Sequence, residues 1–273
     1  MELQVNGPKV YVELPFDLPD TAIFTMKNLI TQTTVTLLIS TILLIVISIL
    51  VTKRLSRRPG GLQVVAEKLI GMLYNLVEDT MGKHNLRFAP YIGTLFLSSI
   101  VCTLLGMTGI LRSATADLSV TAAWALVTTG MVWYHNIKNF GFKAWLKGFT
   151  EPIVVMTPMN IVSEIANPVS MAFRHFGNVA GGSVLTALIY GALTAASSAL
   201  FSWLPGFLSE IPFLTAGIPA FLSIYFDLFS GFVQALVFSL LTMVYVGGAC
   251  PPYEELPEDR KEKLEKRKTN KVN

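Results

Sequence analysis

Apolar residues run along this chain in blocks long enough to cross a bilayer, separated by short basic clusters. Residues 29–51, LITQTTVTLLISTILLIVISILV, carry no charge and predict a helix, since about 20 mainly apolar residues span the hydrocarbon. The run stops at Lys53, Arg54, Arg57 and Arg58. By the positive-inside rule this helix end is cytoplasmic and the N-terminus lies outside. Residues 61–82, GLQVVAEKLIGMLYNLVEDTMG, differ: Val65, Leu69, Met72, Leu73 and Leu76 recur at helical spacing with charges opposite. That pattern predicts an amphipathic helix on the cytoplasmic membrane surface.

A second span is predicted from about Pro90 to Leu111 and a third from about Leu118 to Ile137, flanked on the cytoplasmic side by Lys83, Arg87, Lys138, Lys143 and Lys147. The apolar stretches Met156–Leu200 and Ile211–Gly248 are longer than one perpendicular crossing needs. At 1.5 Å per residue such helices reach about twice the ~30 Å core, so they must tilt or run partly in the membrane plane. Their connection, SWLPGFLSEIP, falls outside. The prediction is an all-α polytopic membrane protein of one domain, with about five membrane helices and one amphipathic surface helix. Residues 1–25 form an extracytoplasmic segment, 156–248 a long tilted hairpin, and 251–273 a mobile charged cytoplasmic tail, acidic first and then basic.

Composition agrees with this pattern. The 273 residues are 52% hydrophobic and 14% charged, against about a quarter charged in soluble domains. A net charge of +3 is less informative than the placement of the basic residues. Cys102 and Cys250 make neither a disulfide framework nor a metal-ligand spacing and read as small apolar fillers. The first 20 residues lack a basic region leading into a short apolar core, so no cleavable signal peptide is predicted. The absence of an internal repeat argues against an inverted-repeat transporter. No nucleotide loop or nucleophile constellation is present, and neither cofactor, metal nor nucleic acid is expected.

The candidate chemistry lies in the two long stretches. At about 100° per residue, Asn160, Glu164, Asn167, Arg174 and Asn178 fall within an arc of about 80°. One polar stripe therefore carries two charges along an apolar helix. A charge at the centre of a membrane helix costs from about 2.5 to over 10 kcal/mol and persists mainly where it has a partner or a task. Glu164 is about 15 Å from Arg174 along the helix, too far for a direct pair. Snorkelling is at best partial with apolar or small residues on either side. Pairing with Asp227, the carboxylate inside the final stretch, stays open. Ser223, Asp227, Ser230 and Gln234 recur at intervals of four, three and four and predict a matching polar face there. Such a face either lines water or joins helices by hydrogen bonds.

These residues are recognisable. IVSEIANPVSMAFRHFGN, 161–178, resembles the signature of subunit a of F-type ATP synthases, in which E-x-x-x-P-x-S-x-x-x-R-x-F-G-N sits in a long tilted helix. FVQALVFSLLTMVYVGGA, 232–249, is similar to that family's C-terminal helix, and ELPFDLP, the basic turn and the amphipathic segment agree in order. The resemblance implies a stator subunit against a rotating ring of c subunits, with a b-type peripheral stalk and the rest of the complex as partners. The setting is a bacterial-type plasma membrane. Arg174 corresponds to the essential arginine separating two offset half-channels for H+ or Na+, with Asn178 and Gln234 beside it. Glu164 would belong to the cytoplasmic half-channel, and Asn178, Ser183 and Asp227 to the outer one. Asn160 shares the stripe of Glu164. His175 stands where leucine is usual, and a helix-packing role and a titrating role are both open. Ser183 and Asp227 depart from the usual acidic or histidine pattern of the outer relay.

Two other classes compete. An independent secondary transporter or channel would hold an anion at Arg174 and would act when purified alone. A non-transporting scaffold would tolerate a neutral residue at Arg174 with only a stability cost.

Overall fold

The computed structural model describes residues 10–13, 28–53, 55, 60–108, 111–151, 153–200, 224–258 and 260–262. These residues are mostly helical: α1 Gln32–Lys53, α2 Gly61–Met81, α3 Ala89–Met107, α4 Leu118–Phe140, α5 Phe142–Gly148, α6 Thr157–Leu200 and α7 Ser230–Ala249. A short antiparallel pair, β1 Val10–Glu13 and β2 Asn28–Thr31, precedes α1. The architecture is the predicted all-α polytopic type, with this small ribbon added.

Helix boundaries moved for local reasons. Apolarity alone starts the first span at Leu29, whereas Leu29–Thr31 belong to β2 and the helix begins at Gln32. Thr31 sits at the N-cap: its Oγ1 accepts from the Thr34 backbone N–H at 3.3 Å, satisfying one of the donors a helix start leaves unpaired. The second span ends at Met107, earlier than Leu111, and the third continues to Phe140. The turn after it holds a short helix, α5, that periodicity did not indicate.

Four stretches among the described residues are long and apolar enough to cross a membrane: Gln32–Lys53, Lys83–Met107, Val154–Leu200 and Ser230–Ala249. The predicted third span, now α4, has the length but not the apolarity, because Thr121, Thr128, Thr129, His135 and Asn136 dilute it. α6 runs through Pro168 without a break over 44 residues, about 66 Å at helical rise. The last stretch differs most from its prediction. Ile224–Phe229 form a π turn before α7, so the 100° step used to align Ser223, Asp227, Ser230 and Gln234 does not hold across it. Ser223, the 202–212 connection, residues 211–223 and the side chains of Ser183 and Asp227 lie outside what is described.

The chain divides into two compact units, one comprising Met1–Ile49, Leu97–Val120 and Arg174–Ala235, the other Leu50–Phe96, Thr121–Phe173 and Leu236–Asn273. In the first, α1 buries small polar residues, Thr33, Thr36 and Ser40, and leaves isoleucines and leucines outward. This inversion suits a bilayer, where lipid is as apolar as leucine and contact is made by small residues and hydrogen bonds. Thr36 Oγ1 donates to the carbonyls of Gln32 (2.9 Å) and Arg112 (3.0 Å), and Cys102 Sγ lies 3.6 Å from Ser40 Oγ.

The second unit holds an apolar core of Val77, Met81, Phe88, Ala89, Ile92, Met243, Val246 and Cys250. Only part of the predicted α2 stripe serves it: Leu73 and Leu76 pack there, whereas Val65, Leu69 and Met72 are 57%, 62% and 60% exposed. The end of α7 is capped by side chains. Asn85 Nδ2 donates to the carbonyls of Cys250 (2.8 Å) and Met81 (3.0 Å), and Asn139 Nδ2 donates to that of Ala249 (2.8 Å). Burial pushes the Cys250 thiol up, against the opposing pull of the Arg87 guanidinium. Both cysteines are free and buried, as fillers should be. The start of the charged tail is ordered, with Lys261 paired to Glu258 at 2.8 Å and Arg260 packed against Gly141. Asn85→Leu removes the amide that serves the Met81 carbonyl and leaves the Cys250 carbonyl with only His84 Nε2, 2.9 Å away; it is expected to lower stability by about 1–3 kcal/mol, read as a lower melting midpoint in detergent.

Candidate functional site

In the first unit, Arg174 and His175 take opposite environments. Arg174 is exposed on α6 and makes no ion pair with another described residue. His175, about 100° round the helix, is 1% exposed, with Nε2 3.1 Å from Ser99 Oγ on α3. One turn on, Asn178 Nδ2 donates to Gln234 Oε1 of α7 at 2.7 Å, and Gln234 is buried. The structure thus joins the asparagine and the glutamine singled out in sequence. Arg174 stands four residues before Asn178 on α6, so it is adjacent to the contact without taking part in it. A guanidinium keeps its proton in any plausible site, so Arg174 can attract an anion or repel a cation but cannot relay a proton.

In the second unit, Glu164 accepts a hydrogen bond from Trp133 Nε1 of α4. Asn160 turns its amide to the backbone, donating to the carbonyls of Phe149 (2.9 Å) and Glu151 (3.1 Å). It therefore clips the α5–α6 connection to the first turn of α6. Glu164, Asn160 and Ser163 line a cavity of about 670 Å³ together with Asn136, Lys147 and Glu151. Lys147 and Glu151 pair at 3.4 Å in exposed positions. The cavity is large enough for many waters and lined by enough donors and acceptors to hold them.

Sequence reasoning missed Trp133, Ser99 and Thr103. Trp133 lies on a different helix from the carboxylate it serves and shows no local signal. Ser99 and Thr103, four residues apart in an apolar helix, do show the pattern of small polar residues that join membrane helices, and that pattern was available in the sequence.

The comparisons with known proteins agree. The family model described as ATP synthase A chain matches residues 34–247. The chain is 32% identical to "ATP synthase subunit a, sodium ion specific" of Propionigenium modestum, over 93% of this chain and 89% of that protein. It is 33% identical to "ATP synthase subunit a 1" of Hahella chejuensis, over 83% and 87%. It is 30% identical to "ATP synthase subunit a" of Bacillus subtilis, over 76% and 87%. A family model covering most of the chain, helices apolar enough to cross a membrane, and an arginine, asparagine and glutamine gathered where α6 meets α7 lead to one assignment: the chain belongs to the ATP synthase subunit a family of multi-pass membrane proteins.

Proposed function

We propose that this chain is the stator ion channel of an F-type ATP synthase in a bacterial-type plasma membrane. It offers two offset half-channels through which H+ or Na+ reaches and leaves the carboxylates of a rotating c ring. The observation that carries the reading is the exposure of Arg174 on α6 beside the contact of Asn178 with the buried Gln234. An outward guanidinium on an apolar helix, with no ion pair to another described residue, suits an anion presented to it, and a ring carboxylate supplies one. When that carboxylate comes opposite Arg174, the attraction favours its ionised form, so it releases its ion and passes. The same charge repels any cation that would cross directly between the half-channels.

Glu164 and the cavity beside it suit the cytoplasmic half-channel, where water admits the ion and the carboxylate shapes the local field. Asn160 holds the entrance of α6 in place. Ser183, Asp227 and Asn178 belong to the outer half-channel in this reading. Each ion crossing 100 mV contributes about 2.3 kcal/mol, and several per turn accumulate to the scale of ATP synthesis. The exposed apolar positions of α2 rest on the cytoplasmic face of the bilayer, α4 completes a set of five crossings, and the N-terminus lies outside with the tail inside. A b-type peripheral stalk holds the chain against the torque of the ring.

Passive ion conduction in vesicles tests this reading against an independent transporter. The purified chain alone is expected to conduct nothing above background, and the assembled membrane sector to conduct only when the chain is present. Selective conduction or anion transport by the chain alone would sink the stator reading.

A further inference from the structure

We propose that Ser99 and His175 are positioning residues that set the rotation of α6 about its axis and thereby turn Arg174 out of the chain. The inference rests on reading Arg174 as the charge that meets the ring.

Four contacts within the first unit close a circuit over three helices. Ser99 Oγ meets His175 Nε2 at 3.1 Å, with both residues nearly sealed from solvent. From His175 to Asn178 the circuit follows one turn of α6, then crosses to α7 through the 2.7 Å bond to Gln234. Three residues back along α7, Gly231 lies so close to Thr103 that a Cβ there would stand 2.5 Å from Thr103 Cγ2. Thr103 Oγ1 in turn donates to the Ser99 carbonyl at 3.0 Å, returning to the start on α3.

One turn of α3 therefore fixes two helices at once: α6 through His175 and α7 through Gly231. Each contact lies within one turn of a residue assigned to the ion path. A helix lying among apolar neighbours is free to roll, because lipid and leucine offer similar surroundings to every face. A hydrogen bond between two buried groups removes that freedom, since rolling the helix would strand both partners unsatisfied. His175 is fixed to α3, and Arg174, about 100° away, is thereby fixed outward. The histidine has a packing role with a functional consequence and needs no proton exchange for it.

The test uses the whole complex in vesicles, with ion-driven ATP synthesis and passive conduction each expressed per assembled complex. The variants are Ser99→Ala, His175→Phe, His175→Gln, the double Ser99→Ala/His175→Phe, and Arg174→Ala as reference. Misplacement of a reacting group by about 1 Å can cost about a hundredfold; Ser99→Ala and His175→Phe are each expected to lose roughly tenfold in synthesis while conduction persists. The double variant should lose no more than the worse single, because both changes break one contact. His175→Gln, whose amide still reaches the hydroxyl, should recover most of the loss. A purely structural defect would lower synthesis and conduction together and would overturn the proposal. So would a native ratio of synthesis to conduction in Ser99→Ala and His175→Gln together with Ser99→Ala/His175→Phe, when Arg174→Ala is uncoupled. If His175→Phe fails to assemble, the decision falls on Ser99→Ala, which removes a single oxygen: a native ratio there overturns the proposal. A coupled Arg174→Ala complex would instead refute the role of the arginine itself.

Discussion

Arg174→Ala is expected to cut ion-driven ATP synthesis roughly a thousandfold in vesicles carrying the whole complex, with passive ion conduction retained or increased. The size follows from Coulomb's law: two unit charges about 4 Å apart attract by about 4 kcal/mol at an effective dielectric near 20, which is about three decades in rate. The direction of the second effect distinguishes a barrier from a support. Removing a barrier between half-channels opens a leak, whereas removing a structural prop closes the path. Arg174→Lys should be intermediate, since lysine supplies the charge but loses its proton more readily on burial and has no planar fork of donors. Synthesis at the native rate in Arg174→Ala would leave the arginine with no more than a scaffold's role.

The second large effect is expected at Gly106, near the end of α3. A Cβ there would lie 2.6 Å from Ser113 Cβ and 3.0 Å from both its Cα and its backbone nitrogen. The returning backbone has no room to yield. Ser113 is buried in a turn whose next polar side chain, Thr115, bonds its hydroxyl at 2.8 Å, and the adjoining Arg112 carbonyl is held by Thr36 of α1. Gly106→Ala should therefore destabilise by about 1–3 kcal/mol, seen as a lower melting midpoint in detergent and less assembled complex. Gly130→Ala is the control, because nothing lies within 4 Å of its would-be Cβ, and alanine is the better helix former by about 0.5–1 kcal/mol. Equal behaviour of the two variants would mean that the α3 return is looser than this packing requires.

Much of this molecule is legible in its sequence because a membrane protein states its plan in long blocks. α1 and α6 are recognisable from apolar length, and Arg174 from the cost of a charge in such a block. Boundaries were harder, since apolarity does not see a cap. Thr31 ends a strand and begins a helix within a run that reads as one span. The final helix shows a different limit. Two members of its predicted polar face, Ser223 and the Asp227 side chain, lie outside the described residues, and the π turn at Ile224–Phe229 changes the angle per residue in a way that spacing alone does not signal. Contacts between distant helices were the least legible. Ser99 and His175 are 76 residues apart, and Trp133 and Glu164 are 31 apart. No period in the chain encodes which side chains meet once helices pack.

Pro168, carried through α6 without a break, has a consequence for dryness. Proline has no N–H, so the carbonyl four residues earlier loses its helical donor; that residue is Glu164. A bare carbonyl in hydrocarbon costs several kcal/mol, and such groups are tolerated where they face protein or water. The helix therefore keeps a standing demand for solvent at the level of Glu164, whatever side chain is placed there. Glu164→Gln would discharge the site without drying it.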